Sequence, residues 1–358
     1  MSTMPTNDDV IKALSTVNDP EIHRDLVTLG MIQDVKVEGG HVSFKVVLTT
    51  PACPLKDQIR NEASAAVKAI PGVTEVTVTF GSNVATSAAL NANRPAGIKH
   101  VIAVGSGKGG VGKSTVAVNL ALALAESGAK VGLLDADIYG PSIPLMMGAK
   151  TRPGTRDGRI IPVERHGVKM MSIGFMLPNG DDPVIWRGPM LTGVLQQFVR
   201  DVEWGEIDYL LVDLPPGTGD VPLSLTQLLP LSGAVIVITP QPVAAQIGIK
   251  TLNMFKQVNV PILGLIENMS AFVCPHCNES TAIFDHGGGE KTSTYTDVPY
   301  LGDIPLDPKI RSGGDTGEPV FAAEPQSTQA EAFRRIAQNI AAKISVNSIK
   351  RIELPVLR

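Results

Sequence analysis

Cysteine is scarce in this chain. Three occur in 358 residues, Cys53, Cys274 and Cys277, too few for a disulfide framework and better suited to a reducing compartment. Aromatic residues make up only 4% of the sequence. No apolar stretch approaches the ~20 residues that cross a bilayer, and the polar, acidic start from Met1 to Asp9 is unlike a secretory leader. Basic charge is in short supply too: the net charge of -4 leaves no positive field for holding nucleic acid nonspecifically. These absences point to a cytoplasmic protein, with neither nucleic acid nor a membrane span expected. What remains is an ordinary α/β composition, 43% hydrophobic and 18% charged, over a length sufficient for two cores.

Residues 1–83 read as a small α+β domain. A helix is expected near Asp8 to Val17, a hairpin turning at Gly39-Gly40, a helix after Pro54 and a strand near Val73 to Phe80. Val42, Phe44, Val46 and Leu48 alternate at period two, as in a half-buried strand. Residues 84–97 lack periodicity and read as a linker. From 98 to 345, short apolar runs alternate with helical ones, the pattern of a mostly parallel sheet with helices on both faces. Strands are expected at 101–104, 130–135, 208–214, 233–239, 261–267 and 298–302, and a hairpin insertion around Asp157-Gly158 within 151–175. Phe333, Ile336, Ile340 and Ile344 form a helical stripe opposite Arg334, Arg335 and Lys343, expected to pack in a core rather than on a membrane. Residues 346–358 read as a tail.

Ligand groups in such a sheet gather at the carboxyl ends of the strands. Gly107 to Ser114 matches G-x-x-x-x-G-K-[ST], set between the apolar run Val101 to Val104 and a long helix former from Val116 to Glu126. Gly107, Gly109, Gly110 and Gly112 let backbone N–H groups, with those of Val111 and Thr115, curl around phosphate oxygens at a helix N-terminus. Lys113 would reach the terminal phosphates and the Ser114 hydroxyl would ligate Mg²⁺. Asp213 ends an apolar run and is followed by Leu-Pro-Pro-Gly217, so a carboxylate is delivered to the metal and a glycine near the γ-phosphate. Asp135 and Asp137 lie on opposite sides if their strand continues unbroken. The strand end at Glu267-Asn268 lacks the aspartate of a guanine-binding Asn-Lys-x-Asp loop, which favours ATP. Asn268 either reads adenine through its amide or caps the strand.

Cys274-Pro-His-Cys277 supplies two thiolates, half of what tetrahedral Zn²⁺ or a 4Fe-4S cluster takes. Cys53, His276 and His286 are the other candidates within the chain, and a two-fold dimer would supply a second pair by symmetry.

The second lysine of the loop, Lys108, makes it resemble the deviant phosphate loop K-G-G-x-G-K-[ST] of the partition and septum-site ATPase superclass. That resemblance implies that Lys108 reaches nucleotide bound to a partner subunit, that Asp137 orients the attacking water and that Asp135 supports the metal shell, one of the two being structural in the alternative. Over nearly the whole chain the motifs Leu-Leu-Asp-Ala-Asp-Ile-Tyr-Gly-Pro-Ser (133–142), Trp186-Arg-Gly-Pro189, Asp213 to Asp220, Glu-Asn-Met-Ser (267–270) and Cys-Pro-His-Cys are similar to those of the Mrp/ApbC family of iron–sulfur cluster carrier ATPases. Asn278 and Asp285-His286 depart from the usual pattern without touching these motifs. The resemblance implies a homodimer that hydrolyses ATP, bridges a 4Fe-4S cluster with Cys274 and Cys277 of each subunit and hands it to apo iron–sulfur proteins alongside cluster-assembly factors. Asp19-Pro-Glu21, Leu29-Gly30 and Thr50 to Pro54 resemble a small iron–sulfur-assembly domain, in which Cys53 is either a thiolate at a helix N-terminus or an inert buried thiol. A membrane- or DNA-positioning ATPase and a dimer with structural zinc are the competing readings.

Overall fold

The structure, a computed structural model, describes residues 4–85, 97–138, 140–176, 188–274, 276–277, 279–285 and 287–353. Most of the expected linker, the Trp186 end of its motif, Tyr139, Asn278, His286 and the last residues of the tail lie outside these. The chain forms two compact units, one of residues 1–85 with 341–358, the other of residues 86–340.

In the first unit, α1 (Asn7–Leu14) begins with a capping box, in which Thr6 Oγ1 accepts from the Asp9 amide at 3.3 Å and the Asp9 carboxylate accepts from the Thr6 amide. A short ladder joins β1 (Asn18–Asp19) to β2 (Arg24–Asp25). β3 (Ile32–Glu38) and β4 (His41–Leu48) make the hairpin over Gly39-Gly40, α2 (Lys56–Lys68) follows, and β5 (Glu75–Ser82) pairs parallel to β4. Val42, Phe44, Val46 and Leu48 are buried, as their alternation predicts, and meet Val10, Leu14, Ile59 and Val67 in one core.

In the second unit, β6 (Ile98–Ser106) lies in mid-sheet and runs into the glycine loop and α3 (Lys113–Glu126). This helix is apolar all round and buried accordingly; its Asn119 side chain accepts from the Phe321 amide and donates to the Thr115 carbonyl. Next come β7 (Val131–Asp135), α4 (Ile143–Met146), β8 (Gly154–Arg156) and β9 (Arg159–Ile161), the last two forming the hairpin over Asp157-Gly158. β10 (Val163–Arg165), β11 (Val168–Ser172), α5 (Gly188–Arg200), β12 (Ile207–Asp213), α6 (Asp220–Leu228), β13 (Gly233–Ile238) and α7 (Pro242–Gln257) follow. The chain continues as β14 (Ile262–Val273), β15 (Ser280–Thr281), α8 (Gly288–Thr296), β16 (Tyr300–Leu306), α9 (Pro308–Thr316), α10 (Val320–Ala323) and α11 (Thr328–Glu353).

Seven parallel strands in the order β11-β7-β12-β6-β13-β14-β16 carry the sheet, with β10 and β15 added antiparallel on β11 and β14. Two sequence expectations need correction. Residues 151–175 are more than an insertion, since β11 joins the main sheet beside β7. The fifth expected strand runs on to Val273 rather than stopping at 267, because its far end gains β15 and β16 as partners. Asn268 therefore sits inside a strand.

In the α11 stripe, Phe333, Ile336, Ile340 and Ile344 are all buried. Arg334 is engaged by Glu126 at 2.9 Å and stacks over the Phe321 ring. Among the described residues no helix is long and apolar enough to cross a membrane. Phe333 is completely buried, so Phe333→Ala should destabilise the protein by about 3–5 kcal/mol, read as a lowered denaturant midpoint for the cooperative unfolding of the larger unit.

Candidate nucleotide and cysteine sites

The glycine loop takes its shape from two left-handed residues, Gly110 at φ +80° and Gly112 at φ +81°, which L side chains rarely adopt. Gly107 is held for a different reason. A Cβ there would lie 2.5 Å from the Ile247 backbone of α7, so the loop rests directly on that helix. Gly217 donates to the Ser106 carbonyl at 2.8 Å, which brings the Pro-Pro-Gly turn against the start of the loop.

β6, β7 and β12 are neighbours in register, Asp213 standing opposite both Val104 and Asp135. This places the polar groups together at one end of the sheet. Lys113 Nζ lies 2.5 Å from Asp213 Oδ1, Ser114 Oγ donates to Asp213 Oδ2 at 2.5 Å, and Lys113 Nζ is 3.4 Å from Asp137 Oδ2. Asp135 and Asp213 are fully buried, and Lys113 is 5% exposed. The strand ends at Asp135 instead of continuing, and the Asp137 amide turns back onto Asp135 Oδ1 at 3.2 Å. The opposite-sides constraint is thereby lifted, and both carboxylates lie on the side of the phosphate loop.

Their surroundings divide them. Asp135 Oδ2 accepts from Ser172 Oγ at 2.8 Å and from the Ile143 amide at 3.2 Å, so it ties β11 and α4 to the site. Asp137 Oδ1, by contrast, is buried without a hydrogen-bond partner. Burial, and then the Asp213 carboxylate, push the Asp135 carboxyl up to about 7 against the Ser172 and Lys113 contacts. Burial also raises Asp213, opposed by Lys113. The Ser114 hydroxyl and the Asp213 carboxylate, 2.5 Å apart, are hard oxygen donors of the kind Mg²⁺ takes.

Two adjoining cavities open here. One, of about 220 Å³, is lined by Lys108, Gly110, Lys113, Asp137 and Pro216. The other, of about 340 Å³ and mainly apolar, shares Gly112 and Thr115 with it and extends along Met146, Pro305, Leu306 and Ile310. Asn268 borders the second cavity, but its amide nitrogen donates to the Val111 carbonyl at 2.8 Å and so supports the loop. The Pro305 to Asp307 segment escaped sequence reading, although Asp-Ile-Pro-Leu-Asp at a strand end was a usable signal. Ser172 had none, its role depending on β11 lying beside β7.

Cys274 and Cys277 stand apart from the loop, at the tip of the β14–β15 hairpin closed by the Cys274 amide on the Glu279 carbonyl at 3.0 Å. Cys277 is exposed and Cys274 partly so. Backbone amides of His276 and Cys277 point at the Cys274 sulfur and lower its pKa. Among the described residues no group of three or more His, Cys, Asp or Glu is placed to hold a metal. Cys53 is another matter. It packs against the core of the first unit, and burial pushes its thiol up to about 11, which overrides any helix-end effect and corrects the thiolate expectation.

Residues 97–341 match a family profile described as NUBPL iron-transfer P-loop NTPase, and residues 7–78 match one described as iron–sulfur cluster assembly protein. The chain is 50% identical to the iron–sulfur cluster carrier protein of Deinococcus radiodurans over 98% of its own length and 100% of that protein's. Among solved structures it resembles a nucleotide-binding protein from Archaeoglobus fulgidus in complex with ADP, at 41% identity and a TM-score of 0.58 over 66% of this chain and 92% of that one. It also resembles the cell division ATPase MinD of Pyrococcus furiosus, at 25% identity and a TM-score of 0.53, over 67% and 98% of the respective chains.

The raised pKa of Asp135 has a signed consequence for stability. The folded state holds this proton more tightly than the unfolded chain, so the contribution is full below the ordinary carboxylate range and is lost as pH climbs through about 7. Calorimetric melting from about pH 5 to about pH 8 should show the parent losing stability relative to Asp135→Asn as pH rises. A pH-independent difference between the two would count against this assignment.

Proposed function

The chain belongs to the NUBPL-type iron-transfer family of P-loop NTPases, the iron–sulfur cluster carriers, and we propose that it hydrolyses ATP as a cytoplasmic homodimer that holds a 4Fe-4S cluster between its subunits and passes it to apo-proteins. The observation that carries this reading is the pairing of a phosphate loop and its buried carboxylates with two neighbouring cysteines. Two cysteines sit on an exposed hairpin, and no third ligand is in place among the described residues. A second copy related by a two-fold axis would complete four.

ATP as the substrate is supported by the ADP bound to the Archaeoglobus relative, and by the two adjoining cavities. The smaller takes the phosphates, and the larger, apolar one takes the base, with Asn268 at its border. Loop amides of 107–115 and Lys113 hold the phosphates, while Ser114 and Asp213 supply oxygen ligands for the Mg²⁺ that accompanies ATP and neutralises charge on the phosphates. Asp137 offers its unpartnered Oδ1 to the attacking water. Asp135, tied to Ser172 and Ile143, fixes the metal-side carboxylates in place. Lys108 reaches the nucleotide of the other subunit. A positioning ATPase would have no use for the cysteine hairpin.

Cys274→Ala and Cys277→Ala should each abolish stable cluster binding after anaerobic reconstitution with iron and sulfide while leaving ATP affinity within about twofold. Broad visible absorption should accompany the parent only, a signal that structural zinc, a d¹⁰ ion, does not give. If Cys274→Ala reconstitutes like the parent, the bridging arrangement is wrong.

Nucleotide and cluster should also be linked, since β14 carries Asn268 on the loop and Cys274 just beyond its end. Titration calorimetry with a non-hydrolysable ATP analogue, on protein with and without cluster, should give affinities differing by ~1–3 kcal/mol, reciprocated in cluster affinity. Equal values on both counts would mean that ATP serves another step.

A further inference from the structure

Lys108 Nζ donates to Gln241 Oε1 at 3.0 Å, a contact between residues far apart in sequence that neither phosphate binding nor the fold of the loop requires. Gln241 occupies the position before α7 where a short polar side chain would ordinarily cap the helix, yet it makes no capping bond. Its side chain is turned onto the phosphate loop instead. Its backbone has little freedom, because Pro242 follows it and keeps it out of the helical region, at ψ 129°. Pro240 is pinned in turn, since a Cβ on Gly288 would lie 2.5 Å from the Pro240 carbonyl oxygen.

The lysine ammonium, by contrast, ends a flexible four-carbon side chain. Gly109 and Gly110 beside it have open space where a side chain would be. A rigid acceptor therefore faces a movable ammonium at the rim of the phosphate cavity.

We propose that Gln241 is a positioning residue that holds Lys108 within its own subunit and thereby sets how readily this lysine crosses to nucleotide bound by a second copy. The proposal rests on the reading that Lys108 acts across the dimer. The acceptor's chemistry fits the task. A neutral amide oxygen holds one N–H of the ammonium but yields to a phosphate, whose charge-assisted bond is about twice as strong. A carboxylate in the same place would compete as a counter-ion and keep the lysine at home.

Two substitutions with opposite expected signs test this, since damage to the fold would move both the same way. In full-length protein without nucleotide, Gln241→Ala should raise the rate at which a dilute acylating reagent modifies Lys108, and Gln241→Glu should lower it, each by about threefold to tenfold, the change made by one net hydrogen bond. Peptide mass spectrometry reads the rate at Lys108 specifically. Sedimentation with a non-hydrolysable ATP analogue should then show tighter self-association for Gln241→Ala and weaker for Gln241→Glu by similar factors. Unchanged Lys108 reactivity, or dimerisation shifts of the same sign in both variants, would overturn the proposal. Lys108→Ala separates it from its premise: a variant that dimerises on the analogue like the parent sinks the across-dimer reading and this one with it. A defective Lys108→Ala alongside silent Gln241 variants sinks only the role of Gln241.

Discussion

The buried contact between Lys113 and Asp213 organises the larger unit. An ammonium 5% exposed meets a carboxylate with no exposure at 2.5 Å, at the carboxyl ends of largely apolar parallel strands. Burying either charge alone would cost several kcal/mol, and even the pair is weak evidence for stability, since an apolar replacement often does as well. Its presence is better explained by chemistry. In the proposed ATPase these two groups would meet the phosphates and their divalent ion, and the strand order β7-β12-β6 delivers them to one point.

Crowding of carboxylates follows from that arrangement. Asp137 and Asp213 share Lys113 and Asp135 stands beside Asp213, so burial and mutual repulsion raise Asp135 and Asp213 together. Ser172 and the Ile143 amide relieve part of the load on Asp135.

β14 is the element common to both proposed activities. Along it, Glu267 accepts from the Gly289 amide at the start of α8, Asn268 supports the phosphate loop through the Val111 carbonyl, and Val273 leads into the cysteine hairpin. Neighbouring residues of a strand point to opposite faces. One strand thus holds the phosphate loop on one side and the helix that follows the hairpin on the other, with a break in its pairing between Asn268 and Phe272.

Much of this molecule is written locally in its sequence. The glycine loop needs left-handed residues at Gly110 and Gly112 and a helix directly after it, so it can be recognised within a dozen positions; the alternation from Val42 to Leu48 fixes one buried face because side chains in a strand repeat every two residues. The spacing of the two cysteines is likewise legible without a fold, and with it the proposed half of a metal site. Contacts between distant segments carry no such signal. That Asp135 leans on Ser172, that Lys108 meets Gln241, and that β14 runs on past Asn268 all depend on which strands become neighbours. Cys53 makes the point most directly: its place before a helix suggests an activated thiol, whereas the core packed around it from elements far away in sequence keeps it protonated. Desolvation is a sum over everything that surrounds a group, and only the tertiary structure assembles that sum.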